Sequence, residues 1–144
     1  MPQWTNDAYL EYAKRLPRSW HTTLTEIAAL KRLKNTNIDK VMHIESEQLW
    51  SAKAKNSYSI ALDRSGKTTS SIALSNIMST TLQNGQKIAF LIGGPEGITD
   101  ETLNKCNKII SLSDLTFPHP LVRVILIEQI YRAWCITANR SYHR

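Results

Sequence analysis

A glycine-rich segment directly follows an apolar stretch in the second half of the chain. The segment is Gly93-Gly94-Pro95-Glu96-Gly97, and the stretch before it, Lys87 to Ile92, is typical of a β-strand. Open parallel sheets bind ligands beyond the carboxyl ends of their strands. Glycine lets a ligand approach the backbone and adopts angles that other residues avoid. The segment is therefore a ligand-binding loop or a tight strand-to-helix turn, and by itself it identifies no ligand.

A second loop, Ser111 to Pro120, leaves the next predicted strand and has prolines on both sides of His119. Because proline fixes its own φ angle, the loop backbone is stiff and the start of the following helix is defined. A stiff loop that exposes amides and small hydroxyls suits an adenine ring or a carboxylate. His119 is explained equally well by helix capping or packing and by a functional role.

The chain ends in Arg140-Ser141-Tyr142-His143-Arg144. Terminal residues are commonly frayed, but one aromatic ring, one histidine and two arginines also form a set that contacts RNA by stacking and phosphate pairing. The helix before this tail is apolar around most of its circumference, which is typical of burial in a core or by a second subunit. Arg123 and Glu128 interrupt that apolar surface, so each charge is expected to have a partner.

The tetrapeptide Ser65-Gly66-Lys67-Thr68 matches the end of a phosphate-binding loop, in which Gly-Lys-Ser/Thr follows an earlier glycine. Ala61 occupies the position of that earlier glycine, inside the predicted strand Ser57 to Leu62. A loop that begins within a strand lacks the backbone cradle for phosphates. Nucleotide hydrolysis is therefore disfavoured.

Alternating helices and strands are expected to position these loops. Hydrophobic periodicity and capping residues predict helices at Trp4–Leu16, Ile38–Lys53, Ser71–Gln83, a short stretch after Thr99, and Pro120 to about Asn139. Strands are predicted at Thr22–Ala28, Ser57–Leu62, Lys87–Ile92 and Ile109–Leu112, with a basic loop at Lys31–Asn37 and a polar turn at Asp63–Lys67. This order predicts an α/β fold, a parallel sheet with helices on both faces, in one domain over residues 1–144.

Composition limits the class of protein. Lys and Arg total 18 against 12 acidic residues, a net charge of +6, which favours a polyanionic partner such as RNA but also fits a merely soluble basic protein. Two cysteines, Cys106 and Cys135, are too few and too distant for a disulfide framework or a metal site, so reduced, partly buried thiols are expected. Without an apolar run of membrane-span length or a signal peptide, the expected location is cytoplasmic, with no membrane partner and no metal.

The chain resembles the RlmH family, bacterial large-subunit rRNA pseudouridine N3-methyltransferases of the SPOUT superfamily. The resemblance is carried by Leu62-Asp63 with Gly66 and Ser70-Ser71, by Phe90–Gly97, by Ser111–Val124, and by Glu128–Trp134 with Tyr142-His143-Arg144. It extends over essentially the whole chain. The family implies a C-terminal trefoil knot, a rare exception to unknotted topology. It also implies methylation of N3 of a pseudouridine in 23S rRNA within the assembled ribosome, with S-adenosylmethionine as the cofactor.

The resemblance also implies the site residues and the assembly. It places S-adenosylmethionine on Leu62, on Gly94 and on the loop made of Ser113, Asp114, Leu115, Thr116, Phe117 and Pro118. It implies a homodimer, in which the C-terminal tail of one subunit completes the site over the cofactor of the other. Family members carry a strand ahead of the segment that begins this chain. The expectation here is a start that lies upstream or a truncated copy, with stability and activity in doubt if that strand is absent.

Methyl transfer to a ring nitrogen requires alignment, exclusion of water and loss of the N3 proton, and it needs neither a metal nor a covalent intermediate. His119 or His143 is predicted to handle the proton, and Arg123, Tyr142 and Arg144 to position the base and stabilise charge. The alternative is a non-catalytic basic RNA-binding module with a decayed cofactor site. The intact glycine segment and the intact proline-rich loop disfavour it.

Overall fold

Five α-helices and three β-strands alternate along residues 2–144, the part of the chain that the computed structural model describes. The helices are α1 (Gln3–Ala13), α2 (Ile38–Ala52), α3 (Ser71–Gln83), α4 (Asp100–Lys105) and α5 (His119–Thr137), with a short 3-10 helix at Arg18–Trp20. The strands are β1 (Tyr58–Thr68), β2 (Ile88–Ile92) and β3 (Lys108–Ser111). The predicted α/β class, a parallel sheet flanked by helices, is confirmed.

The described residues form two compact units. The sheet unit comprises Thr25–Thr68 and Gln86–Asp114, and it contains the three strands with α2 and α4. The helical unit comprises the chain up to Leu24, Thr69–Gly85 and Leu115–Arg144, and it contains α1, α3 and α5. The single domain over residues 1–144 and the trefoil knot stay predictions.

The sheet unit is built on three parallel strands in the order β2-β1-β3. Ala61 of β1 lies opposite Leu91 of β2 and Ile109 of β3, so these side chains share one face. Residues of α2 and α4 pack on that face and close an apolar core, namely Leu49, Trp50, Leu103 and Cys106. The side chain of Ala61 is completely buried there.

Strand β1 is longer than the sequence pattern predicts, and the predicted turn at Asp63–Lys67 is wrong. Leu62 and Lys67 both lie opposite Ile110 of β3, so the residues between them bulge out of the register without ending the strand. A Cβ on Gly66 would lie 2.6 Å from the backbone carbon of Ile109. The missing side chain of Gly66 lets the backbones of β1 and β3 approach each other, and β1 continues through these polar residues for that reason. The Ser65–Thr68 segment lies in a strand rather than in a phosphate-binding loop.

The strand predicted at Thr22–Ala28 is also wrong, because this segment has no regular structure. Five of its seven side chains are exposed. A strand needs a neighbour to satisfy its backbone N–H and C=O groups, and among the described residues the three strands pair only with one another. Alternation of side chains cannot reveal whether such a neighbour exists.

The helical unit is organised around α5, which packs on α1 and α3. Its buried side chains are Leu126, Ile127, Ile130, Ala133 and Cys135. Small residues bring α3 close, since the Ser75 hydroxyl donates to the Ala133 carbonyl at 2.9 Å. Both cysteines are free, Cys135 buried in α5 and Cys106 half-buried at the end of α4, which confirms the thiol prediction.

Candidate functional site

Within the sheet unit, several predicted cofactor residues lie at one edge of the sheet. Leu62 lies opposite Ile92, the last residue of β2, and Ile110, the last residue but one of β3, so it stands level with the carboxyl ends of its two neighbours although β1 itself continues to Thr68. The chain continues from β2 into Gly94 and from β3 into Ser113 and Asp114. Half-buried apolar side chains, a glycine backbone and the exposed carboxylate of Asp114 suit a ligand with a flat base and a positive centre.

The glycine segment at this edge is a tight turn. Gly94 and Gly97 form an antiparallel bridge, in which the Gly97 N–H donates to the Gly94 carbonyl at 2.9 Å. Gly97 has a φ of +91°, a region that side chains avoid. A Cβ on Gly93 would lie 2.6 Å from Cγ1 of Ile98. The interpretation of the segment as a tight turn is therefore confirmed, and its role as a ligand-binding loop stays a prediction.

An ion cluster supports the turn from within the sheet unit. Arg32 donates to both carboxylate oxygens of Glu45 at 2.7 Å and to both of Glu96 at 2.6 and 3.3 Å. Its remaining N–H bond reaches the Leu30 carbonyl at 2.7 Å. A Cβ on Gly94 would lie 2.7 Å from Oε1 of Glu45, so the cluster touches a predicted cofactor residue.

The cluster fixes the charge of its members. Hydrogen bonds and Coulomb attraction from Arg32 hold the pKa of Glu96 below its usual value, and hydrogen bonds from Glu45 and Glu96 raise the pKa of Arg32. Arg32 and Glu96 are therefore ionised near neutral pH, and the two-point contact of Arg32 with Glu45 has the geometry of a guanidinium–carboxylate pair.

Sequence reasoning missed Arg32 and Glu45, although one signal was present. Val41, Glu45 and Leu49 recur every four residues along α2, so a carboxylate stands on the apolar stripe of the helix. A carboxylate in that position is expected to have a partner. The basic loop predicted at Lys31–Asn37 is confirmed as irregular chain, but its Arg32 is a structural member of the cluster and not only a surface charge.

The remaining predicted cofactor residues lie in the helical unit, in the segment before α5. Leu115, Thr116 and Pro118 are exposed, whereas Phe117 is half-buried. Pro118 occupies the N-cap position of α5, and His119 is the first residue of that helix and half-buried. The predicted helix start at Pro120 is thus correct within one residue, and the stiff segment does set the start of α5.

The C-terminal tail folds back on α5 of the same chain. Asn139 adopts a left-handed φ of 57° after the helix. Its N–H donates to the Ile136 carbonyl at 3.3 Å, and the Arg140 N–H donates to the Cys135 carbonyl at 2.7 Å. This pattern is a Schellman motif, which ends the helix and reverses the chain.

The reversed tail places Tyr142 on Glu128. The Tyr142 hydroxyl donates to Oε1 of Glu128 at 3.1 Å, and Arg132 binds the same carboxylate at 2.6 Å. The Tyr142 ring lies edge-on to Tyr131 at 4.8 Å and under the Arg132 guanidinium. The sequence-based expectation that Glu128 has a charged partner is confirmed.

This environment defines the chemistry that the tail can offer. Burial, followed by the hydrogen bond to Glu128, raises the pKa of Tyr142 to about 12, so the hydroxyl stays protonated and acts as a donor. Arg132 lies 3.1 Å from Nδ1 of His143. Because a guanidinium can only donate, Nδ1 is the acceptor and the proton of the ring is on Nε2. In this arrangement His143 can donate a hydrogen bond from Nε2, while the lone pair of Nδ1 is engaged by Arg132.

His119 and Tyr142 are not brought together within one chain. His119 begins α5, whereas Tyr142 contacts Glu128 nine residues further along. At 1.5 Å of rise per residue these positions are about 14 Å apart along the helix axis. Arg123 lies between them, and its charge opposes the burial effect that raises the pKa of Tyr9 on α1. The tail-borne candidates thus lie apart from His119 of the same subunit.

Neither a metal-binding cluster nor a membrane-spanning helix is found in the described part of the chain. Across residues 2–144, no group of three or more His, Cys, Asp and Glu side chains could hold a metal ion. None of the helices in that range combines the length and the apolar character of a membrane span.

Comparisons with known proteins point to one family. Residues 1–143 match the family described as "Predicted SPOUT methyltransferase". The chain is 44% identical over 144 residues to the ribosomal RNA large subunit methyltransferase H of Thioalkalivibrio sulfidiphilus, and it covers 92% of that protein. The proteins of the same name from Methylococcus capsulatus and Coxiella burnetii are 43% and 44% identical, each with 93% covered. The whole of this chain is aligned in all three comparisons.

Proposed function

The chain belongs to the SPOUT methyltransferase family and, within it, to the group of ribosomal RNA large subunit methyltransferases H, and from this premise we propose its reaction. The enzyme methylates large-subunit ribosomal RNA. We propose S-adenosylmethionine as the methyl donor and N3 of a pseudouridine as the acceptor atom. We also propose that the enzyme acts on the assembled ribosome.

One observation carries the assignment of the donor site. Leu62, Gly94, Ser113 and Asp114 lie at the same carboxyl edge of the sheet, where open parallel sheets bind ligands. The half-buried Leu62 side chain can cover a base, and Asp114 can attract a positive centre. These residues fit an adenosine-type sulfonium cofactor, which supplies an already activated methyl group when bound. On the family resemblance alone, we also propose Leu115, Thr116, Phe117 and Pro118 as cofactor residues.

The residues of the chain then have to remove a proton and hold the base. N3 of pseudouridine carries a weakly acidic proton, so a base or a stabilising cation must assist its loss. We assign the proton-accepting role to His119, because the Nδ1 atom of His143 accepts from Arg132. Tyr142 helps to position the base, and Arg123 and Arg144 stabilise negative charge on it.

We propose that the enzyme is a homodimer, and the position of the tail supports this. On α5 of one chain, His119 and Glu128, which holds the Tyr142 hydroxyl, are about 14 Å apart along the helix axis, and this separation disfavours joint action of His119 and Tyr142 of the same chain on one base. A site that uses both therefore takes His119 from one subunit and the tail from its partner. A two-fold arrangement repeats this exchange at two equivalent sites. The net charge of +6 favours the polyanionic substrate.

Transfer of a labelled methyl group to ribosomes that lack this modification tests the proposal. We expect label in large-subunit rRNA at one pseudouridine, and none when ribosomes carrying the modification are used. Calorimetry with S-adenosylmethionine is the companion measurement. Heat of binding without methyl transfer would contradict the proposed acceptor, whereas RNA binding without any cofactor heat would identify a binding module with a decayed site.

A further inference from the structure

The ion cluster of Arg32, Glu45 and Glu96 joins three separate segments of the sheet unit. Arg32 stands in the irregular chain before α2, Glu45 on α2, and Glu96 in the glycine turn after β2. All five N–H bonds of the guanidinium are used, four on the two carboxylates and one on the Leu30 carbonyl. Such complete use of a rigid donor fork fixes orientation as well as charge.

The cluster is anchored on its inner side. Glu45 is a buried residue, and its carboxylate also accepts from the Leu30 N–H at 2.9 Å. The side chains of Arg32 and Glu45 retain 21% and 11% of their exposure. Because two hydrogen bonds join this inner pair and two more hold it to the Leu30 backbone, the Arg32 guanidinium offers Glu96 a fixed docking position.

We infer that Arg32 is a positioning residue, which fixes the Gly94–Gly97 turn by clamping Glu96 to Glu45 and so shapes the methyl-donor site. The turn itself has one backbone hydrogen bond across it, between Gly97 and Gly94, and its glycines give it conformational freedom that must be restricted before a ligand binds. Contact between Glu45 and Gly94 restricts one end, and the pair of Arg32 with Glu96 restricts the middle. The inference rests on the proposed function for the identity of the ligand.

Arg32→Gln and Glu96→Ala test this role, with Lys31→Gln as the matched control on the exposed neighbouring residue. Each test variant should raise the Kd for S-adenosylmethionine by about tenfold, the factor expected for one net hydrogen bond to a charged group. The double variant should bind no more weakly than the poorer single variant, because both changes remove the same contact between Arg32 and Glu96. The kcat at saturating donor should change little, and Lys31→Gln should bind as the wild type does.

Hydrogen exchange of residues 93–98 gives a second readout that does not depend on the ligand. Exchange there should be faster in both test variants and unchanged in Lys31→Gln. Arg32→Gln leaves Glu45 buried without its cation and can lower stability. Glu96→Ala keeps the pair of Arg32 and Glu45 intact. If Arg32→Gln unfolds, the result with Glu96→Ala is therefore the decisive one. Wild-type Kd with wild-type exchange in Glu96→Ala would overturn the positioning role. Absence of S-adenosylmethionine binding by the wild-type chain would overturn the proposed function. The hydrogen-exchange rates alone would then decide whether Arg32 and Glu96 fix the Gly94–Gly97 turn.

Discussion

At the residue scale, the tail tyrosine shows how a neighbouring carboxylate selects a role. A tyrosine near a catalytic centre can serve as a base or as a donor, and its pKa decides which. Glu128 accepts from the Tyr142 hydroxyl, and partial burial opposes ionisation. Both effects favour the protonated form. Tyr142 therefore stays protonated with its one O–H engaged by Glu128, so it is suited to position a substrate by contact with its ring, and proton removal has to be done elsewhere.

The pH dependence of Tyr142 follows from this geometry. Its pKa is raised from 10.0 to about 12, so the folded chain retains this proton at a pH where the unfolded chain has lost it. The stabilisation by the hydrogen bond is present below pH 10 and is lost as the pH rises towards about 12. In an ultraviolet titration of tyrosinate, Tyr142→Phe should remove a late step. Glu128→Gln should shift that step to lower pH. Loss of an early step in Tyr142→Phe would contradict the raised pKa of Tyr142.

Tyr9 offers a stability test at the same scale. Its ring is buried, and among the described residues its hydroxyl has no hydrogen-bond partner. Removing an unsatisfied buried hydroxyl relieves a desolvation cost, so Tyr9→Phe should raise the free energy of unfolding by about 1 kcal/mol. For a chain of this size that corresponds to about 3 °C in Tm. Thermal unfolding of both proteins measures the difference, and a clear loss of stability would show that the hydroxyl has a partner.

At the scale of elements, the end of α5 determines where the tail goes. The Schellman motif requires a left-handed residue directly after the helix, and Asn139 supplies it with a φ of 57°. Asparagine tolerates this region better than other residues with a side chain, and glycine tolerates it best. The reversal of the chain, and with it the contact of Tyr142 with Glu128, depends on this one backbone conformation.

Substitutions of Asn139 should separate this backbone role from side-chain chemistry. Asn139→Val places a β-branched residue in the left-handed region and should lower the free energy of unfolding by about 1–2 kcal/mol. The same change should displace Tyr142 and reduce methyl transfer. Asn139→Gly is the matched control and should retain both stability and activity. Denaturant unfolding and the methyl-transfer assay measure these effects, and equal behaviour of the two variants would contradict the argument.

Gly66 has the corresponding role in the sheet unit. Because a Cβ at this position would lie 2.6 Å from the Ile109 backbone, Gly66→Ala should force β1 and β3 apart. The expected loss is about 1–3 kcal/mol of unfolding free energy, typical of overpacking at a rigid contact. Gly85→Ala is a useful comparison, since nothing lies within 4 Å of a Cβ there, although its φ of +77° still adds backbone strain. Similar losses in the two variants would argue against the close approach as the cause.

At the scale of the whole molecule, the proposed exchange of tails predicts complementation between two inactive variants. The His119→Ala variant lacks the proposed proton acceptor, and the Tyr142→Phe variant lacks the tail hydroxyl. In a mixed dimer one of the two sites has both groups intact. An equal mixture should therefore recover about a quarter of the wild-type activity, because about half of the dimers are mixed.

Methyl transfer measured after co-refolding of the two variants tests this exchange. Each variant alone, treated in the same way, is the control. Activity in the mixture that does not exceed the mean of the two variants would show that each site uses its own tail, and would contradict the dimeric arrangement.

How much the sequence predicts depends on the range of the interaction concerned. Periodicity and capping residues located all five helices and the three strands of the sheet, because these signals act between residues a few positions apart. Thr99, for example, was expected to cap α4, and its hydroxyl does accept from the Thr102 N–H at 3.3 Å. The strand at Thr22–Ala28 and the turn at Asp63–Lys67 failed because a strand is decided by a distant neighbour, which local alternation cannot show.

The sequence by itself determined the family, the reaction class and the loops at the ends of the strands, since those depend on residue types and their order. Only the tertiary structure decided that Arg32 binds Glu45 and Glu96, which lie 13 and 64 positions away. It also decided that Tyr142 returns to Glu128 of its own chain. The physical reason is that an ion pair or hydrogen bond needs atoms within about 3 Å, and the folded backbone, not the spacing along the chain, sets that distance.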